Sequence, residues 1–154
     1  RRHHSIQHST HQLMWPHTFP ERLTAWADLR AQAASLPLET ALEAINTWWF
    51  KIPWRAYHLH WDDCEKWPDP WQLLSDDMYC PLARGLGILY TISIIDRADL
   101  QDCELIECGS DNLVLVPQKK YILNWDQEQI VNIIPGPKNF LHSINQNTLK
   151  QQIR

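Results

Sequence analysis

"MYCPLARGLGILYTISII", residues 78–95, is the stretch on which the fold turns. A proline directly after Cys80 suits the first turn of a helix, where a backbone N–H has no intrahelical partner to lose. From there Leu82, Leu86, Leu89 and Tyr90 line one face, while Gly85 and Gly87 permit close approach of neighbouring groups. The run 86–95 is almost wholly apolar, so this helix is expected at the centre of the molecule. It is well short of the roughly 20 residues that a membrane span requires.

Working outward, the upstream sequence reads as helices. "PERLTAWADLRAQAAS" (20–35) opens with proline and glutamate and sets Leu23, Trp26, Ala27, Arg30 and Ala34 along one stripe. "PLETALEAINTWWF" (37–50) repeats the plan with Leu38, Ala41, Leu42, Ile45 and Trp49. The connection 51–74 is dense in aromatics and prolines, with one short strand expected at 56–61. Asp69, Pro70 and Gln72 match an N-cap, a first-turn proline and the third position of a capping box, which places a short helix over 70–75.

Downstream of the central helix the period changes. "CELIEC" (103–108), "NLVLVP" (112–117), "KYILNW" (120–125) and "QIVNII" (129–134) are short β-prone runs separated by turn residues. An antiparallel meander therefore follows the helices, and the fold class expected is α+β: N-terminal helices and a central buried helix packed on a small antiparallel sheet. At 154 residues the chain is expected to form a single domain over 20–135, with an extended arm at 1–19 and a peripheral tail at 136–154.

Composition narrows the function. A net charge of −4 with no basic stripe gives no electrostatic footing for nucleic acid, and no stretch suggests membrane insertion. Nine tryptophans point to broad packed surfaces, at interfaces as readily as in a core. The arm holds five of the eight histidines together with Leu13, Met14, Trp15 and Phe19, and is expected to lie across a neighbouring chain. Its start at Arg1 reads as processed or incomplete. Cys64, Cys80, Cys103 and Cys108 are too few for a disulfide scaffold and are expected as reduced thiols; Cys103 and Cys108, five apart on one strand, would face opposite ways.

Cys80 is the leading chemical candidate, because a thiol at a helix N-terminus sits at the positive end of the helix dipole, which favours thiolate. A thiol enzyme also needs a base to take the proton and a third group to orient that base. His58 and His60 in the upstream loop, and His142 beyond the meander, are the histidines that could approach. "HLHWDDC" (58–64) is a second cluster: alternation would put His58 and His60 on one side of a strand, with Asp62 or Cys64 completing a metal site. Its spacing matches no established zinc pattern, so neither a metal nor a cofactor is expected. The pairs Asp62–Asp63 and Asp76–Asp77 read as caps or solvated turns, and four glycines supply no phosphate loop.

The order of a buried helix opening with Cys80, then the hairpin "NLVLVPQKKYILNW", resembles the core of the transglutaminase-like branch of the papain-like fold over residues 64–126. That resemblance implies a nucleophile at Cys80, a histidine where Asp111 or Asn112 stands, and an orienting aspartate where Asn124 stands. No histidine lies between Cys80 and His142, so the scaffold is expected to be degenerate and non-catalytic. A cysteine-dependent hydrolase or acyltransferase using Cys80 with His58, His60 and Asn124 is the alternative.

A second resemblance covers residues 20–135. "LPLETALEAINTWWFKIPW", "WPDPWQLLSDDMYC", "LGILYTI" and "YILNW" are similar to uncharacterised proteins of large contractile-tailed bacteriophages, including those infecting cyanobacteria. It implies a structural role in the virion, in tail, neck or baseplate, with other virion subunits as partners.

Overall fold

The computed structural model of the chain describes residues 15–53, 59–76, 79–117, 121–125, 130–132 and 141–151. Two helices, α1 (Phe19–Ser35) and α2 (Leu38–Trp49), lead through a 3-10 segment (Trp61–Lys66) to α3 (Pro70–Ser75) and α4 (Pro81–Ile95). Five strands follow: β1 (Glu104–Cys108), β2 (Asp111–Val116), β3 (Tyr121–Leu123), β4 (Val131–Asn132) and β5 (His142–Asn145). A last helix, α5 (Gln146–Lys150), succeeds β5 directly. The class is α+β, as the change of period implied.

Local chemistry sets the helix starts. Thr18 and Glu21 form a reciprocal capping box at α1, with Pro20 in the first turn, so the helix begins at Phe19. Asp69 and Gln72 form the same box at α3, at 2.8 and 3.0 Å. Cys80 is the N-cap of α4 and Pro81 its first residue.

Helix α4 is buried nearly all round because it is packed from both sides. Its two glycines show how closely. A Cβ on Gly87 would stand 2.5 Å from the Trp49 ring of α2, and one on Gly85 would stand 2.6 Å from Leu105 of β1. Two residues apart on a helix, these positions face opposite ways. One turn beyond Gly87, Thr91 accepts hydrogen bonds from both the Trp26 and Trp49 indoles, at 2.9 and 3.0 Å, and donates to the Gly87 carbonyl at 2.8 Å. Two large aromatics are thereby buried with their polar tips satisfied.

The sheet is antiparallel in the order β4-β3-β2-β1-β5. Its register aligns Leu123, Val114, Leu105 and Ile144 in one row across four strands. That row joins the α4 core, whereas Ile106, Leu113 and Ile122 form a smaller cluster on the other face. No helix among the described residues is long and apolar enough to cross a membrane.

Several expectations are corrected. Of the tail expected at 136–154, the described residues 141–151 are not peripheral: β5 pairs with β1, Leu149 is fully buried, and the Gln146 side chain bonds Cys103 N and Leu100 O. At the other end, Trp15 of the expected arm packs against Trp48, Trp49 and Tyr79. Helix α1 buries Arg22, Trp26, Leu29 and Ala33, a stripe one residue out of phase with the one expected. The reason is Arg22, which enters the interior because four backbone carbonyls (Pro16, His17, Leu74 and Asp76) accept its N–H groups at 2.8–3.3 Å. Of the strand expected at 56–61, residues 56–58 lie outside the described residues, and Trp61 begins the 3-10 segment instead.

Candidate functional site at the threshold of helix α4

The N-terminus of α4 meets one end of the sheet, and there the groups singled out by sequence come together. Asn124 follows β3 in the left-handed conformation, φ 67°, which asparagine tolerates better than most residues. Its backbone N–H and both polar atoms of its side chain are used. Its backbone N–H donates to Asn46 Oδ1 at 2.8 Å; its Nδ2 donates to Pro81 O at 3.1 Å and to Asn112 O at 2.5 Å. Its Oδ1 accepts from Arg84 Nε at 2.6 Å. One residue thus joins α2 through its backbone and α4 and β2 through its side chain.

Arg84, one turn into α4, completes the corner by laying its guanidinium 3.8 Å over the Phe50 ring. Burial pulls this guanidinium down to about 10, against a smaller opposing pull from the nearby Cys80 sulfur. Asn112, which with Asp111 is one of the two positions where the resemblance implies a histidine, accepts at Oδ1 from the Trp61 indole at 2.9 Å. Spatially, then, Cys80, Asn112 and Asn124 do converge on one corner. Chemically Asn112 and Asn124 form a brace of amides, and no described residue there hydrogen-bonds the thiol.

Cys80 itself is fully buried, and no described residue hydrogen-bonds its sulfur. The histidines are elsewhere or otherwise engaged. His58 lies outside the described residues. His60 is exposed at the entry to the 3-10 segment, where its carbonyl accepts from Trp67 Nε1 at 2.9 Å. His142 opens β5, its ring stacked on Trp61 at 5.4 Å and 9°, with Nδ1 2.6 Å from Glu107 Oε1 and Nε2 3.8 Å from Asp62 Oδ1. A carboxylate orients this imidazole, as a catalytic base would need, but the ring lies flat against an indole and is not bonded to Cys80.

Of the metal cluster considered at 58–64, His58 lies outside the described residues, and His60, Asp62 and Cys64 follow a 3-10 path or its entry rather than a strand. Among the described residues no three His, Cys, Asp or Glu side chains are grouped to hold a metal ion. All four thiols are unpaired by disulfides. Burial, with Asp102 and Glu104 nearby, pushes the Cys103 thiol up to about 12, which makes it inert at neutral pH.

Comparisons with protein-family models, with curated proteins and with solved structures find no match for this chain. Sequence reasoning singled out Asn124, and Asp111 or Asn112, through the resemblance in element order. It missed Asn46, Arg84 and Trp61 because their roles depend on contacts across 40 to 78 residues of chain.

Proposed function

We propose that the chain is a non-catalytic structural subunit of a tailed-bacteriophage virion, in tail, neck or baseplate. The observation that carries the non-catalytic half is the Asn124 brace. Asn124, where a thiol enzyme of the resembling fold would keep its orienting group, is an amide whose hydrogen bonds bind helix to sheet, and the base position, Asp111 or Asn112, holds no histidine. The thiol beside them is sealed from solvent. Without a positioned base, acyl transfer loses about 10²- to 10⁴-fold in rate. The virion half rests on the sequence resemblance over residues 20–135, and the abundance of tryptophan suits a component packed among other subunits.

Quantitative mass spectrometry of density-purified particles tests the assignment: a virion subunit is recovered at a fixed copy number per particle. Absence from particles, or a copy number that varies between preparations, overturns it. Iodoacetamide labelling of the native protein tests the non-catalytic half separately. Cys64, partly exposed, should react before the buried Cys80. Faster labelling of Cys80, with a pH midpoint well below the free-thiol value of about 8.5, would restore the hydrolase reading.

A further inference from the structure

One ionisable side chain outside the Asn124 brace is held on three sides by groups from distant parts of the chain. His142 opens β5 with its ring face to face on Trp61. Its Nδ1 lies 2.6 Å from Glu107 Oε1 on β1, and its Nε2 lies 3.8 Å from Asp62 Oδ1 on the 3-10 segment. The stack fixes the plane of the ring, and Trp61 is itself tied to β2 through Asn112. Each ring nitrogen therefore faces a carboxylate, one from the sheet and one from the segment that leads into α3.

An ionised carboxylate only accepts hydrogen bonds, and a neutral imidazole carries a single N–H. A neutral His142 can therefore donate to one of its two neighbours. The spacing marks the choice, since 2.6 Å to Glu107 is a hydrogen bond and 3.8 Å to Asp62 is not. Protonation adds a second N–H on the side of Asp62 and puts positive charge over the Trp61 face, which attracts cations. Asp62 has room to close the gap, because its side chain is 91% exposed. Among the described residues no lysine or arginine competes for either carboxylate: Lys150 of α5 pairs with Asp96, Arg97 pairs with Asp99, and Arg84 is bonded to Asn124. The other charged groups of the 3-10 segment, Asp63, Glu65 and Lys66, make no described ion pair with the ring.

We infer that His142 is a proton-operated clasp, whose protonation fastens β5 to the 3-10 segment through Asp62 while the bond to Glu107 is kept. Histidine changes charge between pH 5 and 8, a range over which carboxylates ordinarily stay ionised. The clasp is therefore closed at pH 5.5, and its Asp62 arm is released as the pH rises to 7.5. What it secures is the strand that covers the outer flank of β1. The inference stands on this geometry and not on the virion assignment.

Amide hydrogen exchange of the full chain at pH 5.5 and pH 7.5 tests the inference. The readout is the protection factor, corrected for the intrinsic pH dependence of exchange, of the Leu141 amide, which donates to Glu107 O at 3.0 Å beside the clasp. In the wild-type chain this protection is expected to be about threefold higher at pH 5.5 than at pH 7.5, the scale of an exposed ion pair. Asp62→Ala, which removes only an exposed side chain, and His142→Gln, which removes the titrating ring, are each expected to abolish the difference. Asp62→Ala remains informative if His142→Gln misfolds. Equal wild-type protection at the two pH values overturns the inference, as does a difference that survives in Asp62→Ala or in a folded His142→Gln.

Discussion

Two polar knots hold helix α4, one on each side. Around Thr91 a single hydroxyl serves two indoles and a backbone carbonyl, and all three residues are almost completely buried. Around Asn124 an amide serves two carbonyls and a guanidinium, and the network continues through Asn112 and Trp61 to the surface imidazole of His142. The first knot is closed, so removing one atom strands donors that nothing can reach. The second is open at one side, so water can replace part of what a mutation removes. The difference separates a knot sealed in the core from one that reaches the surface.

Thr91→Val breaks the closed knot with the largest expected effect. The change is nearly isosteric but leaves two buried indole N–H groups unsatisfied, at roughly 1–3 kcal/mol each, so a loss of about 2–6 kcal/mol is expected in urea unfolding. A loss under about 1 kcal/mol would mean that the two indoles do not depend on this hydroxyl.

Asn124→Ala tests the open knot. It removes the amide's bonds and puts alanine in the left-handed region, with an expected loss of about 2–3 kcal/mol. Asn124→Gly should recover about 1 kcal/mol of that, since glycine accepts φ 67° without penalty. Equal losses for alanine and glycine would assign the whole effect to the side-chain bonds.

The smallest effect sharpens the comparison at the far end of α4, where Cys103 is as buried as Thr91 but can ionise. Its folded value of about 12 lies above the ordinary thiol range, so the unfolded chain releases this proton first as the pH rises. Stability from this group is complete below about pH 9 and falls between about 9 and 12, by at most about 1.4 kcal/mol per pH unit. Tyr90, raised by burial and by Asp69, adds to the loss in the same direction. Cys103→Ala should flatten part of the alkaline slope in urea midpoints; an unchanged slope would assign it to other groups.

What was legible in the sequence follows the range of the interactions concerned. The starts of α3 and α4 were readable because Asp69, Gln72 and Pro81 act within a few residues of themselves. The burial of α4 was readable from its unbroken apolar run. The phase of α1 was not, because Arg22 looks like a surface residue until the carbonyls of Leu74 and Asp76 are brought to it from more than 50 residues away. The place of β5 was equally hidden: its four residues are polar on average, and only pairing with β1 brings Ile144 against the core. At the candidate site the sequence singled out Cys80, Asn124 and either Asp111 or Asn112, while the partners Asn46, Arg84 and Trp61 were hidden by their distance along the chain.

The position of β5 also dictates how the molecule can be made. Strand β1 lies between β2, its neighbour in sequence, and a strand that begins more than 30 residues later. During synthesis β1 can zip to β2 early, but its other flank stays an open hydrogen-bonding ledge until residues 142–150 emerge. A translation product broken off before that point would present the ledge permanently, and its expected fate is aggregation, with both knots on α4 otherwise able to form.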